Sequence, residues 1–75
     1  MSIRQEDGII FLEGRCTAED AETLLVALQD RPERVVDASG LLRAHLAVVQ
    51  ILLTRRPVMH ALPTDPILAN IIMDQ

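Results

Sequence analysis

Short apolar runs alternate with stretches of helical periodicity along the chain, and this alternation restricts the fold more than any single motif does. Ile9–Leu12 is a continuous apolar run of the kind found in strands buried on both faces. Arg34–Asp37 and Val58–Ala61 are shorter strand-like runs. Residues 17–31 and 42–55, which lie between them, show helical spacing of aliphatic side chains. Strands that alternate with helices in this way predict a largely parallel sheet joined by right-handed crossovers.

The two ends of the chain complete this pattern. A polar strand at Ser2–Glu6 precedes Asp7-Gly8, which is a strong signal for a two-residue hairpin turn. A short last helix over Asp65–Met73 begins with an aspartate cap and a proline at the first helical position. We therefore predict one α/β domain over residues 1–75, with a small mixed, mostly parallel sheet of about four strands covered by helices. The predicted element order is β-β-α-β-α-β-α.

Local signals set the expected boundaries of the first helix. Thr17 can cap the helix, and Asp20 three residues later suits a shortened capping box. Gly14 is expected to end the strand before this helix. Pro32 is expected to end the helix itself.

The boundaries of the second helix follow from the residues after Asp37. Ser39-Gly40 is expected to form a sharp turn that ends the third strand. The second helix should then run from about Leu42 to Arg55, with Pro57 stopping it. Its main apolar side should be lined by Leu46, Val49, Leu52 and Leu53.

Charge and composition argue against several classes of function. The net charge is −4, all seven basic residues are scattered arginines, and Phe11 is the one aromatic residue, so we expect no nucleic-acid binding. The single cysteine, Cys16, excludes an internal disulfide and fits a reducing compartment. No apolar run is long enough to span a bilayer, so we expect a cytoplasmic protein without direct membrane insertion.

Three stretches of the chain, in this order and spacing, resemble the STAS family, the fold of bacterial anti-sigma factor antagonists. They are Gly8–Gly14 followed by Cys16–Ala21, then Val35–Leu41, which is similar to a strand ending in Asp-Leu-Ser-Gly, and finally Leu46–Leu53, a helix with a "leucine, glutamine, x, leucine" run. The similarity covers roughly residues 8 to 73 and indicates a truncated member. It implies a non-enzymatic module of bacterial regulation that docks onto another protein.

The chain departs from this family at the motif that carries the regulatory serine. That motif, Asp-Ser-Ser-Gly or Asp-Ser-Thr-Gly, begins eight residues after the aspartate that ends the strand, a count that leads from Asp37 to His45. Leu46-Ala47-Val48 follow, so the phospho-acceptor hydroxyl is absent there. Ser39 lies in a similar tetrapeptide at the strand end, where it is either a phosphorylation site or a turn residue.

The resemblance implies a docking surface at the loop after the third strand and the exposed side of the second helix. The candidate partner is an anti-sigma factor, a kinase-like protein or an ATPase subunit, and the early end of the chain also favours a homodimer. The candidate partner-binding residues are Asp37, Ser39, Leu41, Arg43, Ala44, His45 and Ala47.

Two other functions stay open at this point. The chain also resembles the small STAS subunit of an ABC transporter for phospholipid trafficking, where the domain clamps the ATPase subunits. Alternatively, it could be a phosphocarrier that uses His45 or Ser39. We expect no enzyme, cofactor or metal site, because neither a catalytic group of side chains nor clustered ligand spacing occurs. The roles of Cys16, either a reactive thiol or an inert turn residue, and of Gln50, either partner-facing or half-buried, are left open.

Overall fold

The computed structural model describes residues 2–73 and confirms the predicted α/β class and the order β-β-α-β-α-β-α. The strands and helices are β1 (Ile3–Glu6), β2 (Ile9–Cys16), α1 (Ala18–Asp30), β3 (Val35–Ala44), α2 (Leu46–Arg55), β4 (Met59–Ala61) and α3 (Pro66–Met73).

The four strands lie in the sheet in their chain order, β1-β2-β3-β4. The hairpin turn at Asp7 and Gly8, both with positive φ, makes β1 antiparallel to β2. β2 pairs with β3 and β3 with β4 in parallel, through crossovers that contain α1 and α2. The mixed, mostly parallel sheet of the prediction is therefore present.

The helices form one layer against one face of this sheet. α1 and α2 pack against each other, and α3 packs against α2. Alternate strand residues point into the layer between sheet and helices, as the two-residue period of a strand requires. The largest fully buried side chains of this core are Ile10, Leu12, Leu24, Leu41, Val36, Val48 and Cys16.

The opposite face of the sheet carries Phe11, the single phenylalanine of a chain without tyrosine or tryptophan. The guanidinium of Arg4 lies 4.2 Å from the centroid of the Phe11 ring. The same guanidinium forms ion pairs with Glu13, at 2.9 Å, and with Glu6. The hydrogen bond from Arg4 lowers the pKa of Glu13. Phe11 is consequently half-buried beneath a charged side chain, although no helix covers it.

β3 is longer than the sequence predicts, because Ser39-Gly40 does not end it. The strand continues to Ala44, and the expected sharp turn is replaced by an irregularity in its pairing with β2. Phe11 pairs with Asp37, but Glu13 pairs with Gly40, so β3 has one more residue than β2 in this interval. Such a bulge absorbs the extra residue without ending the strand.

Gly14 does not end β2 either. The strand continues to Cys16, and Gly14 lies within it at a φ of +65°. A second shift in register follows it, since Gly14 pairs with Leu41 and Arg15 pairs with Arg43. The two bulges bring β2 and β3 to a common end just before the caps of α1 and α2.

Candidate docking surface at the carboxyl end of the sheet

α2 begins later than predicted, and His45 caps it. The helix starts at Leu46 rather than near Leu42, and Leu42, Arg43 and Ala44 belong to β3. The backbone N–H of Ala47 donates to Nδ1 of His45 at 3.0 Å, which satisfies one of the free amide groups at the helix start. The prediction that His45 lies at the start of this helix is confirmed.

The ends of β2 and β3 and the starts of α1 and α2 meet at one edge of the sheet. The backbone N–H of His45 donates to the carbonyl of Cys16 at 2.9 Å, which joins the two strand ends. A cleft of about 240 Å³ opens here, lined by Arg15, Cys16, Thr17, Arg43, Ala44 and His45. Ligands of open α/β sheets commonly bind at this carboxyl edge.

Two arginines lie side by side at this carboxyl edge. Arg15 and Arg43 are register partners on β2 and β3, and both are exposed. Within residues 2–73 neither arginine forms an ion pair. Like charges on directly opposed residues destabilise a sheet, and the N-terminal end of α2, whose first turn contains no acidic residue, adds further positive potential. The arrangement therefore favours contact with negatively charged groups.

Two large leucines flank this charged edge. Leu42 is 68% exposed near the end of β3, and Leu46 is 66% exposed as the first residue of α2. The expectation that Leu46 lines the apolar side of the helix is wrong, because Val48, Val49 and Leu52 are the buried residues of α2. Residues 42–47, which end β3 and begin α2, form the β3–α2 junction.

The predicted docking residues fall into three groups: four in the β3–α2 junction, Leu41 in the core, and Asp37 with Ser39 further back in β3. Arg43, Ala44, His45 and Ala47 lie in the β3–α2 junction. Leu41 does not contribute to it, because its side chain is fully buried in the core. The first bulge explains this correction, since it shifts the alternation of β3 by one residue and turns Leu41 toward the helices.

Asp37 and Ser39 lie within β3 instead of in a loop after it. Oδ1 of Asp37 accepts the hydroxyl of Ser39 at 2.7 Å and its backbone N–H at 3.0 Å. These two hydrogen bonds, the hydroxyl first, lower the pKa of Asp37. Ser39 is exposed, but its hydroxyl lies directly against an ionised carboxylate.

Cys16 is the innermost residue of the edge. It is buried at the end of β2, and its Sγ lies 3.6 Å from the carbonyl oxygen of Ser2. Burial raises the pKa of the Cys16 thiol to about 11, so little thiolate exists at neutral pH. The raised pKa favours the interpretation of Cys16 as inert, but the residue ends β2 and does not lie in a turn.

The remaining features of the described chain do not point to a metal site or a membrane span. Over residues 2–73 no three His, Cys, Asp or Glu side chains are placed to hold a metal ion. Gln50 is exposed on α2. Across the same residues, no helix combines the length and apolar character needed to cross a membrane.

Comparison with known proteins gives no relative from which a function could be transferred. No family model, no curated protein and no solved structure matches this chain.

Sequence reasoning missed three residues of the docking surface: Arg15, Leu42 and Leu46. Arg15 is one of seven arginines scattered along the sequence, and its pairing with Arg43 depends on the two bulges of β3. Leu42 and Leu46 were both assigned to a helix. Only the late start of α2 separates Leu42 from the helix and leaves it exposed.

Proposed function

We propose that this protein is a non-enzymatic protein–protein interaction module of bacterial regulation that docks through the β3–α2 junction. The observation that carries the proposal is the exposure of Leu42 and Leu46 on either side of the positively charged segment between them. Exposed apolar side chains with polar or charged neighbours around them are one mark of protein interaction sites.

The side chains of the junction indicate which groups a partner's surface should present. Arg15, Arg43 and the N-terminus of α2 favour carboxylates, whereas the two leucines need an apolar recess. α2 opens with Leu46 and Ala47, so a serine switch at this point is not part of the proposed mechanism. The proposed binding is therefore constitutive with respect to phosphorylation of the helix start.

An anti-sigma factor, a kinase-like protein or the ATPase subunit of a transporter would each use the same junction, so partner identity distinguishes the first two from the third. The phosphocarrier alternative is less well supported. His45 Nδ1 is engaged as the cap of α2, and a phosphate on Ser39 would lie beside the negative charge of Asp37. Cytoplasmic location and a homodimer remain predictions.

Site-directed crosslinking in the source cell tests the proposal. A photoreactive benzoylphenylalanine in place of Leu46 should capture one protein, and the same group in place of Val58 should not. Val58 is similarly exposed, at 68% against 66% for Leu46, but precedes β4 at the other end of the sheet.

Affinity for the captured protein then provides the decisive comparison. Leu46→Asp keeps a residue favoured at a helix start and should weaken binding about tenfold or more. Val58→Asp should leave the affinity unchanged. Equal effects of the two substitutions, or capture from both positions alike, would refute docking at the junction.

A further inference from the structure

The outer edge of β1 offers unpaired backbone groups. β1 is the first strand of the sheet, and over residues 2–73 nothing pairs with its outer side. Glu13 donates its N–H to the carbonyl of Ser2 at 2.8 Å, which places Ser2 in a hydrogen-bonded pair of the β1–β2 ladder. Because such pairs alternate along antiparallel strands, the N–H and C=O groups of Ile3 and Gln5 point away from β2.

A groove of about 620 Å³ runs between this edge and α1. Its lining includes Gln5 from β1, and Glu19, Glu22, Val26 and Asp30 from α1. These α1 residues recur at helical spacing, so one side of the helix forms a wall beside the strand edge. Val26 is 58% exposed in the middle of this wall.

The wall is predominantly acidic. Within residues 2–73 neither Glu19 nor Glu22 forms an ion pair. Asp30 lies in the last turn of α1, where the helix dipole disfavours a carboxylate, and that turn contains no basic residue. Arg34 offsets part of this charge, since it lies 3.6 Å from Asp30, but it also donates to the carbonyl of Ala27 at 2.9 Å.

We propose that the β1 edge binds an extended basic peptide segment of another protein, which adds to the sheet as a fifth strand. The outward groups of Ile3 and Gln5 supply the backbone hydrogen bonds of such an addition. Side chains of the added strand that point toward α1 meet Glu19, Glu22 and Asp30, so lysine or arginine is preferred there, with an apolar residue opposite Val26.

Charge selects this occupant over a second copy of the chain. Two-fold pairing of β1 with itself would bring the acidic walls of two α1 helices together, in a chain of net charge −4. The proposed edge lies along β1 and α1, away from the β3–α2 junction. The inference therefore goes beyond the docking function proposed above and does not depend on it.

A short capped peptide of alternating lysine and threonine is the probe, and the same peptide with glutamate in place of lysine is its control. Amide NMR spectra of the whole protein should shift at Ile3 and Gln5 with the lysine peptide, and these two amides should become protected from hydrogen exchange. The glutamate peptide should produce neither effect.

Two substitutions separate strand addition from loose attraction. Gln5→Pro removes an outward N–H from an edge strand, which tolerates proline, and should abolish binding. Glu22→Gln should weaken binding about threefold, whereas Glu33→Gln, an exposed acid outside the groove, should not.

Three results would overturn the proposal. Shifts that avoid β1, or binding that survives both Gln5→Pro and Glu22→Gln, would show unspecific attraction to an acidic protein. Self-association that increases with concentration and disappears in Gln5→Pro would assign the edge to a second copy.

Discussion

The hydroxyl of Ser39 donates to Oδ1 of Asp37 at 2.7 Å, and the backbone N–H of Ser39 donates to the same oxygen. The aspartate thereby braces the bulged part of β3 from within the strand. The serine that looks like a phosphorylation site in the sequence thus donates two hydrogen bonds to a carboxylate of the same strand.

Removal of this hydroxyl should weaken the fold in a way that depends on pH. The hydrogen bonds lower the pKa of Asp37, so their contribution is fully present above the ordinary aspartate pKa and is lost as the pH falls through the lowered value. Ser39→Ala should therefore cost about 0.5–1 kcal/mol at neutral pH and less in acid, measured by urea unfolding. Thr64→Ala, a hydroxyl deletion in the loop after β4, is the control. A cost that is independent of pH would contradict this account.

The cap of α1 should contribute measurable stability. The N–H of Asp20 donates to the hydroxyl of Thr17, and Oδ2 of Asp20 accepts the N–H of Thr17 at 2.8 Å, a reciprocal capping box. Thr17→Ala should lower the free energy of unfolding by about 1 kcal/mol. Thr23→Ala, the same substitution in the middle of the helix, should be neutral or slightly stabilising, because alanine is the better helix former. Similar losses from both variants would rule out capping as the cause.

His45 should stabilise α2 through Nδ1, independently of any docking role. His45→Ala should cost about 0.5–1 kcal/mol of unfolding free energy, and His45→Asn should recover it, since asparagine is a preferred cap. His60→Ala, at an exposed position of β4, serves as the control in thermal unfolding. Failure of the asparagine variant to recover stability would remove the cap from the explanation.

At Gly14 and Gly40, backbone conformation should determine how much stability an alanine substitution removes, and the space around the new side chain should matter less. A Cβ at Gly14 meets nothing within 4 Å, yet its φ of +65° strains any other residue. Gly14→Ala should therefore destabilise the protein by about 1–2 kcal/mol. Gly40→Ala, whose Cβ would lie 3.4 Å from Cγ of Glu13 without a positive φ, should cost less. The reverse order in chemical denaturation would show that side-chain crowding dominates.

The sequence was sufficient for the order of elements and for the first helix. Thr17 and Asp20 are local signals that act over three residues, and the structure contains the capping box they predict. The Asp7-Gly8 hairpin is equally local. Such features can be read from the chain because they depend on no distant partner.

The end of β3 could not be predicted in the same way. Ser39-Gly40 is a strong turn signal when taken alone, but pairing with the long strand β2 keeps the chain extended through both residues. The exposure of Leu42, the burial of Leu41 and the pairing of Arg15 with Arg43 all follow from that register. Long-range pairing thus decided most of the candidate docking surface.

The order β1-β2-β3-β4 means that every strand lies beside its neighbour along the chain. The β1–β2 hairpin pairs residues that are close in the sequence, whereas β2 pairs with β3, and β3 with β4, only after an intervening helix has brought distant parts of the chain together. β2 and β3 each pair with a strand on both sides. The three residues of β4 pair with β3 alone. We therefore expect the C-terminal β4–α3 segment to open more readily than β2 and β3.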